Sequence, residues 1–309
     1  MILHIEETEI MLKNRKMKVL DSLYKKLFIE KFKGVRSMFK SIRYVLNENF
    51  SNLYRIFCIA KYELLADMRD SKFGIFWNFA SPAIQVFTYW LIFGVAWQKQ
   101  PIGKIDYLPW LVVGYAAWWF VQPCIQNGCS AVFSKTNVIT KMKFPVSVLP
   151  ATICAKEFFN HGCMLLIAFV TLAIHGFFPN IYWFGLLYYA LCAFAFVEAV
   201  SLILSVLTML WRDIRKLITS LMRMLMYFSP VIWECHFGNH VPYHELLNKI
   251  MKLNPVYYIV NGYRDSIFYN KTFLDHPAQT LYFWAVVIIL FVIGCALMYK
   301  FKRKFIDMI

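Results

Sequence analysis

Residues 73–98 read FGIFWNFASPAIQVFTYWLIFGVAWQ, and no side chain in this stretch carries a formal charge. At about 1.5 Å per residue, a helix of this length crosses the ~30 Å hydrocarbon layer of a bilayer even when it is tilted. A soluble domain does not need an uncharged segment of this length. The stretch therefore predicts a first membrane-spanning helix, with Pro82 loosening its early turns.

The composition of the whole chain agrees with a membrane location. Of its 309 residues, 60% are hydrophobic and only 17% are charged, against roughly 25% in ordinary soluble domains. The net charge of +15 would suggest nucleic-acid binding in a soluble chain. Here, however, Lys and Arg concentrate at both ends of the chain and between the apolar runs, which is the positive-inside distribution. The predicted partner of the basic segments is anionic membrane lipid and not nucleic acid.

Further apolar runs predict five more spans. They are residues 107–134, 149–175, 181–210, 217–233 and 277–299. The run 217–233 is short for a span, and residues 234–276 mix charges with apolar pieces. That mixture predicts re-entrant or interfacial helices on the outer side between spans five and six. The expected fold is an all-α integral membrane protein with six transmembrane helices and both termini in the cytoplasm.

The chain before the first span divides into two parts. Residues 1–50 form a basic cytoplasmic extension that lacks the apolar core of a signal peptide. In residues 51–72, apolar side chains recur at three- and four-residue steps and charged side chains take the other face. This pattern predicts an amphipathic helix in the membrane interface. Residues 73–309 then form the six-helix transmembrane domain.

Motifs for nucleotide or metal chemistry are missing from the sequence. It contains no Gly-x-x-x-x-Gly-Lys-Ser/Thr phosphate loop, and its eight cysteines include no Cys-x-x-Cys pair. We predict no bound cofactor, no metal and no catalytic residue, so active transport requires a separate ATPase or an ion gradient. The alternative class is a membrane-embedded acyl- or glycosyltransferase, which only His161, His175 and Glu198 suggest.

Four sequence blocks, taken together, carry a resemblance to a known family. They are Phe73-Gly-Ile-Phe-Trp77 after an amphipathic helix; Lys141-Met-Lys-Phe-Pro145 with Leu149-Pro150; Trp211-Arg-Asp-Ile214 leading to Tyr227-Phe-Ser-Pro-Val-Ile-Trp233; and Leu253-Asn-Pro-Val-Tyr-Tyr-Ile-Val-Asn-Gly-Tyr-Arg-Asp265. In order and spacing they resemble the permeases of ABC exporters of the polysaccharide and teichoic acid class. The last block is most similar to teichoic acid translocation permeases.

The resemblance implies a homodimer of six-helix subunits in the plasma membrane, bound to two ATP-binding subunits that hold ATP and magnesium. The implied cargo is a lipid-linked cell-wall polymer, namely wall teichoic acid, and the alternative is another surface glycan such as capsule or O-antigen. It also implies that the basic segment around residues 135–145 inserts into a cleft on the ATPase. The expected coupling residues are Lys135, Lys141, Lys143, Arg212 and Asp213.

A sugar or polyol-phosphate polymer needs a wide path with aromatic faces and hydrogen-bonding groups. The candidates for this path are Trp77, Tyr89, Trp90, Trp118, Tyr227 and Trp233, although aromatic side chains near span ends also anchor helices or pack in cores. Cations flank the amphipathic helix and could receive a pyrophosphate head group, or else contact lipid phosphates. They are Arg55, Lys61, Arg69 and Lys72.

Ionisable residues within the spans are expected to face the bundle interior, because exposing them to lipid is costly. We expect Lys156 or Arg223 to pair with Glu157 or Glu198 in a structural salt bridge. A proton relay is the alternative, but no chain of carboxylates is apparent in the sequence.

Overall fold

The computed structural model describes residues 37–69, 71–141, 144–234 and 243–302. This part of the chain is helical throughout and holds no strand beyond one isolated bridge between Ile102 and Ile105. The prediction of an all-α membrane protein is confirmed.

Five helices in the described part of the chain are long and apolar enough to cross a membrane. The first consists of α3, Phe76–Tyr89, and a π-helical continuation, Trp90–Ala96. The others are α4, Tyr107–Cys129; α6, Val148–Ile174; α7, Phe184–Leu210; and α11, Pro277–Phe301. They match predicted spans one to four and six to within five residues at each end.

Helix α8, Ile214–Tyr227, takes the place of the predicted fifth span. Its 14 residues extend about 21 Å, which is shorter than the ~30 Å hydrocarbon core. Two further helices follow, α9, His244–Lys252, and α10, Pro255–Phe268. They lie where the sequence predicts re-entrant or interfacial helices, and the count of six spans stays a prediction.

Local sequence explains how α10 and α11 begin. The Asn254 side chain accepts a hydrogen bond from the Val256 amide at 3.0 Å, and Pro255 occupies the first turn of α10. Before α11, Thr272 and Asp275 form a reciprocal capping box around the short 3₁₀ turn Phe273–Asp275, and Pro277 occupies the first turn of α11 itself. Such caps satisfy amide groups that have no partner within the helix.

Helix α4 lies at the centre of the bundle and packs against α6, α7, α8 and α10. Its side chains Leu111, Trp118 and Phe120 are fully buried. In contrast, the α-helical part of α3 buries only Pro82 and Val86. Most of the surface of α3 is therefore available to lipid or to another chain.

Two helices precede the first span and pack on the rest of the chain. Residues 37–51 form α1, which belongs to the predicted basic extension, and α2 is Leu53–Arg69. Val45 of α1 is buried in a cluster that includes Val146, Leu149 and Met298. Helix α2 packs against α6. The three-part domain division and the interfacial position of α2 stay predictions, and most of the extension lies outside the described residues.

Candidate functional site

A cleft with a volume of about 690 Å³ opens between α3, α4, α6 and α8. Its lining residues recur at three- and four-residue steps on these helices, so the cleft follows one face of each. Along α3 it extends from Trp77 to Tyr89, a distance of about 18 Å. The lining residues are Trp77, Asn78, Ser81, Gln85, Tyr89, Tyr115, Trp119, Gln122, Pro123, Gln126, Glu157, Asn160, Arg223, Met226 and Tyr227.

Aromatic rings form one component of the lining. Trp77, Tyr89 and Tyr227 belong to the six predicted path residues. Tyr115 and Trp119 join them: the ring centroids of Tyr89 and Tyr115 are 5.8 Å apart, and those of Tyr115 and Trp119 are 5.7 Å apart. Neither Tyr115 nor Trp119 is among the residues predicted for the path.

The other three predicted path residues lie outside the cleft. Trp90 packs against Phe87, with 5.9 Å between ring centroids. Trp118 is fully buried, and its indole nitrogen donates to Gln122 Oε1 at 2.6 Å. The Trp233 indole nitrogen donates to the Tyr227 carbonyl oxygen at 2.8 Å. Trp118 and Trp233 therefore each donate a hydrogen bond to a residue that lines the cleft.

Carboxamide side chains, none of which was predicted for the path, form a second component. They are Asn78, Gln85, Gln122, Gln126 and Asn160. An amide inside an apolar span is unfavourable unless it finds polar partners. Five amides on the facing sides of three spans are therefore a signal of a polar interior surface, and helical spacing could have revealed it.

Glu157 and Arg223 carry the formal charges of the cleft. Glu157 is buried, and its two carboxylate oxygens accept hydrogen bonds from Asn127 Nδ2 and Asn160 Nδ2, both at 2.9 Å. The expected pairing of Lys156 with Glu157 or Glu198 is wrong, because Lys156 forms its salt bridge with Asp67 of α2.

The two histidines that suggest a transferase, His161 and His175, lie far apart. His161 is buried, and its ring nitrogens lie 3.1 Å from the Ala116 carbonyl oxygen and 3.1 Å from the Tyr263 hydroxyl. His175 lies about 21 Å further along the α6 axis. Within the described residues, no group of His, Cys, Asp and Glu side chains is arranged to hold a metal ion.

The predicted head-group cations lie on the surface, outside the cleft. Helix α2 carries three of them and the turn after it carries the fourth, and all four side chains are exposed. Their contact with a head group stays a prediction. They are Arg55, Lys61, Arg69 and Lys72.

The predicted coupling residues that the structure describes follow the ends of α4 and α7 along the chain. Lys135 forms a salt bridge of 2.6 Å with Glu63 of α2, and the Arg212 guanidinium lies 5.2 Å from the centroid of the Phe133 ring. Lys141 is exposed at the end of a short helix, α5, Thr136–Lys141. Asp213 is exposed and lies 3.9 Å from Lys216. Lys143 lies outside the described residues.

A buried arginine fixes the chain after α8. Arg264 of α10 is 2% exposed and donates to the carbonyl oxygens of Trp110, Pro230 and Val231. Its guanidinium lies 3.3 Å from the centroid of the Trp110 ring. This side chain therefore joins α4, α10 and the segment that follows α8.

The next carbonyl along the chain, that of Ile232, is held in the same way. It accepts hydrogen bonds from the Tyr107 hydroxyl at 2.9 Å and from Lys99 Nζ at 3.2 Å. Residues 230–232 thus present three successive carbonyl groups to donors from other parts of the chain.

A comparison with known protein families identifies the family of this chain. The ABC-2 type transporter family matches residues 54–268. The chain belongs to the ABC-2 type transporter family. The matched region contains α2 to α10 and hence every residue that lines the cleft, whereas α1 precedes it. The resemblance to an exporter permease is confirmed at the level of the family.

Similar proteins include two named O-antigen export system permease protein RfbA. The protein from Klebsiella pneumoniae is 25% identical over 252 residues, which cover 81% of this chain and 93% of the relative. The protein from Myxococcus xanthus is 24% identical over 244 residues, which cover 78% of this chain and 90% of the relative. Neither relative is named for teichoic acid.

Proposed function

We propose that this ABC-2 chain is the membrane permease subunit of an ATP-driven exporter that moves a lipid-linked surface polymer outward across the plasma membrane. The observation that carries the proposal is the cleft of about 690 Å³, lined by aromatic rings and carboxamides, within the region that matches the family. Aromatic faces together with polar side chains suit a sugar chain, which has apolar faces and polar edges.

An O-antigen-type polysaccharide is favoured over wall teichoic acid as the cargo. Two relatives that this chain covers almost completely are named for O-antigen export. Teichoic acid follows only from the sequence block at residues 253–265, and it remains the second candidate.

The exporter also requires an ATP-binding subunit and a second copy of the permease. ATP and magnesium belong on the ATP-binding subunit, since this sequence has no phosphate loop. The exposed side chains of Lys141, Arg212 and Asp213 offer a docking surface for it. Both termini are expected in the cytoplasm, on the same side as this surface.

Depletion of the chain tests the function directly. With the ATPase intact, we expect surface polymer to disappear while its lipid-linked precursor accumulates in the inner leaflet, and re-expression to restore export. Unchanged surface polymer, or its loss without precursor accumulation, contradicts the exporter proposal and favours the transferase alternative.

A further inference from the structure

We infer, on the basis of the proposed export function, that the cleft binds neutral, hydroxyl-bearing sugar residues of the cargo and discriminates against polyanionic chains such as polyol phosphates. The inference names the chemical class of ligand that the residues of the cleft select. Four features of the lining support it.

The first feature is the charge of the lining. Among its fifteen described residues, Arg223 is the only cation and Glu157 the only anion, so their formal charges cancel. A path for a chain with repeated phosphates would need several cations, because charge-assisted hydrogen bonds from Arg and Lys stabilise phosphate oxygens. The exposed cations of α2 lie outside the cleft.

The second feature is the dual hydrogen-bonding capacity of the five carboxamides. A carboxamide both donates and accepts, and so does a sugar hydroxyl, whereas ionised phosphodiester oxygens only accept. Each amide oxygen that faces the cleft would meet a phosphate oxygen as a second acceptor. A neutral chain with many hydroxyl groups can bond to both the NH₂ donor and the oxygen acceptor of the same amides.

The third feature is a pair of buried polar atoms. Asn78 Nδ2 and Asn160 Oδ1 are shielded from solvent and have no hydrogen-bond partner within the described part of the chain. Such atoms are unfavourable when they are left unpaired. One is a donor and the other an acceptor, so hydroxyl groups satisfy both once the two amides rotate toward the cleft that they line, while a phosphate oxygen satisfies only Asn78.

The fourth feature is the combination of a fixed carboxylate with flat rings. Asn127 and Asn160 hold the Glu157 carboxylate in place through hydrogen bonds of 2.9 Å, where it repels an approaching phosphate and accepts from a hydroxyl. The rings of Tyr89, Tyr115 and Trp119 follow one another along the wall. They offer apolar surfaces to the C–H face of a sugar ring, which a linear polyol phosphate lacks.

Saturation-transfer NMR, which detects weak binding, tests the inference with the full-length chain in lipid nanodiscs. The two probes are a neutral mannose hexasaccharide and a glycerol phosphate hexamer. We expect saturation transfer to the hexasaccharide and little to the hexamer. Gln126→Leu is expected to weaken saccharide binding by about fivefold, the effect of one lost neutral hydrogen bond.

Gln100→Leu is the matched control, because Gln100 is exposed in the loop after α3, outside the cleft. Asn160→Leu is a second cleft variant, in case one variant fails to fold by size-exclusion chromatography. Equal or stronger transfer to the glycerol phosphate hexamer overturns the inference, and so does transfer to neither probe. Both results leave the exporter proposal standing, which only the depletion experiment can overturn.

Discussion

Arg264 shows how much one buried side chain holds together in this permease. Its guanidinium satisfies carbonyl groups on α4 and after α8 while it lies over the Trp110 ring. It fits there because position 114 of α4 is a glycine: a Cβ atom at Gly114 would lie 2.1 Å from Arg264 Nη2. The two residues therefore form one structural unit.

Replacing this arginine is expected to destabilise the fold. Arg264→Met leaves three buried carbonyl groups without this donor, and each unsatisfied group costs about 1–3 kcal/mol, so we expect a loss of about 3–9 kcal/mol. The midpoint of thermal unfolding in detergent measures it. Arg55→Met, on the exposed surface of α2, is the control, and equal midpoints for both variants would contradict the role of Arg264.

Gly114→Ala is expected to destabilise the protein through the same unit. The added methyl group displaces the guanidinium, so the variant loses the same hydrogen bonds. Once Arg264 has been replaced by methionine, the methyl group should cost little more. The double variant should therefore be about as stable as Arg264→Met alone, whereas additive losses would show that the two residues act independently.

At the scale of elements, α1 precedes the region that the family match covers. Glu48 of α1 accepts hydrogen bonds from the Tyr44 hydroxyl, at 2.6 Å, and from the Ser147 hydroxyl at the start of α6. Helix α6 has no acidic residue in its first turn. Glu48 thus supplies from α1 the negative charge that favours a helix N-terminus. Burial and this hydrogen bond to Glu48 raise the pKa of Tyr44.

Removing the Glu48 carboxylate is expected to loosen the attachment of α1 to the start of α6. In Glu48→Ala the segment 37–51 loses its hydrogen bond to Ser147, and its amide protons should exchange faster by mass spectrometry. Glu245→Ala, in the exposed first turn of α9, should leave that exchange unchanged. Equal protection of 37–51 in both variants would mean that the other contacts of α1, among them the burial of Val45 and the hydrogen bond from Asn49 Nδ2 to the Ser147 carbonyl oxygen, hold it without Glu48.

The salt bridge between Lys135 and Glu63 joins the predicted coupling segment to α2. Both side chains are partly exposed, so the pair contributes less than about 1 kcal/mol to stability. Glu63→Lys is nevertheless expected to reduce export, because it repels Lys135 and shifts the segment. Measured surface polymer should recover in the swapped pair Glu63→Lys with Lys135→Glu. Failure of the swap would mean that Lys135 acts on the ATPase subunit directly.

The spans could be predicted from the sequence because charged residues, or the Gly- and Pro-containing turn at residues 176–180, separate them and because each has the length that a bilayer demands. The extent of the helix in the predicted fifth span could not be predicted in this way. Its apolar run continues to Trp233, but the helix ends at Tyr227, and the next residues are held by Arg264, a contact 33 residues away or more along the chain. Local composition does not contain that information.

The cleft was less predictable than the spans, as two neighbouring tryptophans illustrate. Successive side chains on a helix point about 100° apart. Trp119 therefore lines the cleft while Trp118 is fully buried behind it. Which of the two faces the cleft depends on how α4 is rotated against α3, α6 and α8. A single sequence indicates an aromatic span but not this rotation.

For the molecule as a whole, we expect a second copy of the chain to cover the exposed side of α3. Ile84, Phe87 and Leu91 are all exposed and lie on one strip of this helix and its π-helical continuation. We expect Ile84→Cys to form a disulfide-linked dimer in oxidised membranes, visible on a non-reducing gel. Ile288→Cys, on the exposed side of α11, is the control. Cross-linking at residue 288 and not at 84 would place the dimer contact elsewhere.

The three carbonyl groups of residues 230–232 also bear on how the transporter can move. Since donors from α4, from α10 and from the loop after α3 hold them, α8 cannot tilt away from α4 without breaking several buried hydrogen bonds at once. Rearrangement is easier at α3, which has few interior contacts and is anchored at its far end through Lys99. We therefore expect α3 to pivot near Lys99, so that, in the complex with the ATP-binding subunit, nucleotide-driven changes in the spin-label distance to α8 are large at Ile75 and small at Trp97. The cleft would then widen most beside Trp77, and the permease would open as a tapered funnel instead of a pore of uniform bore.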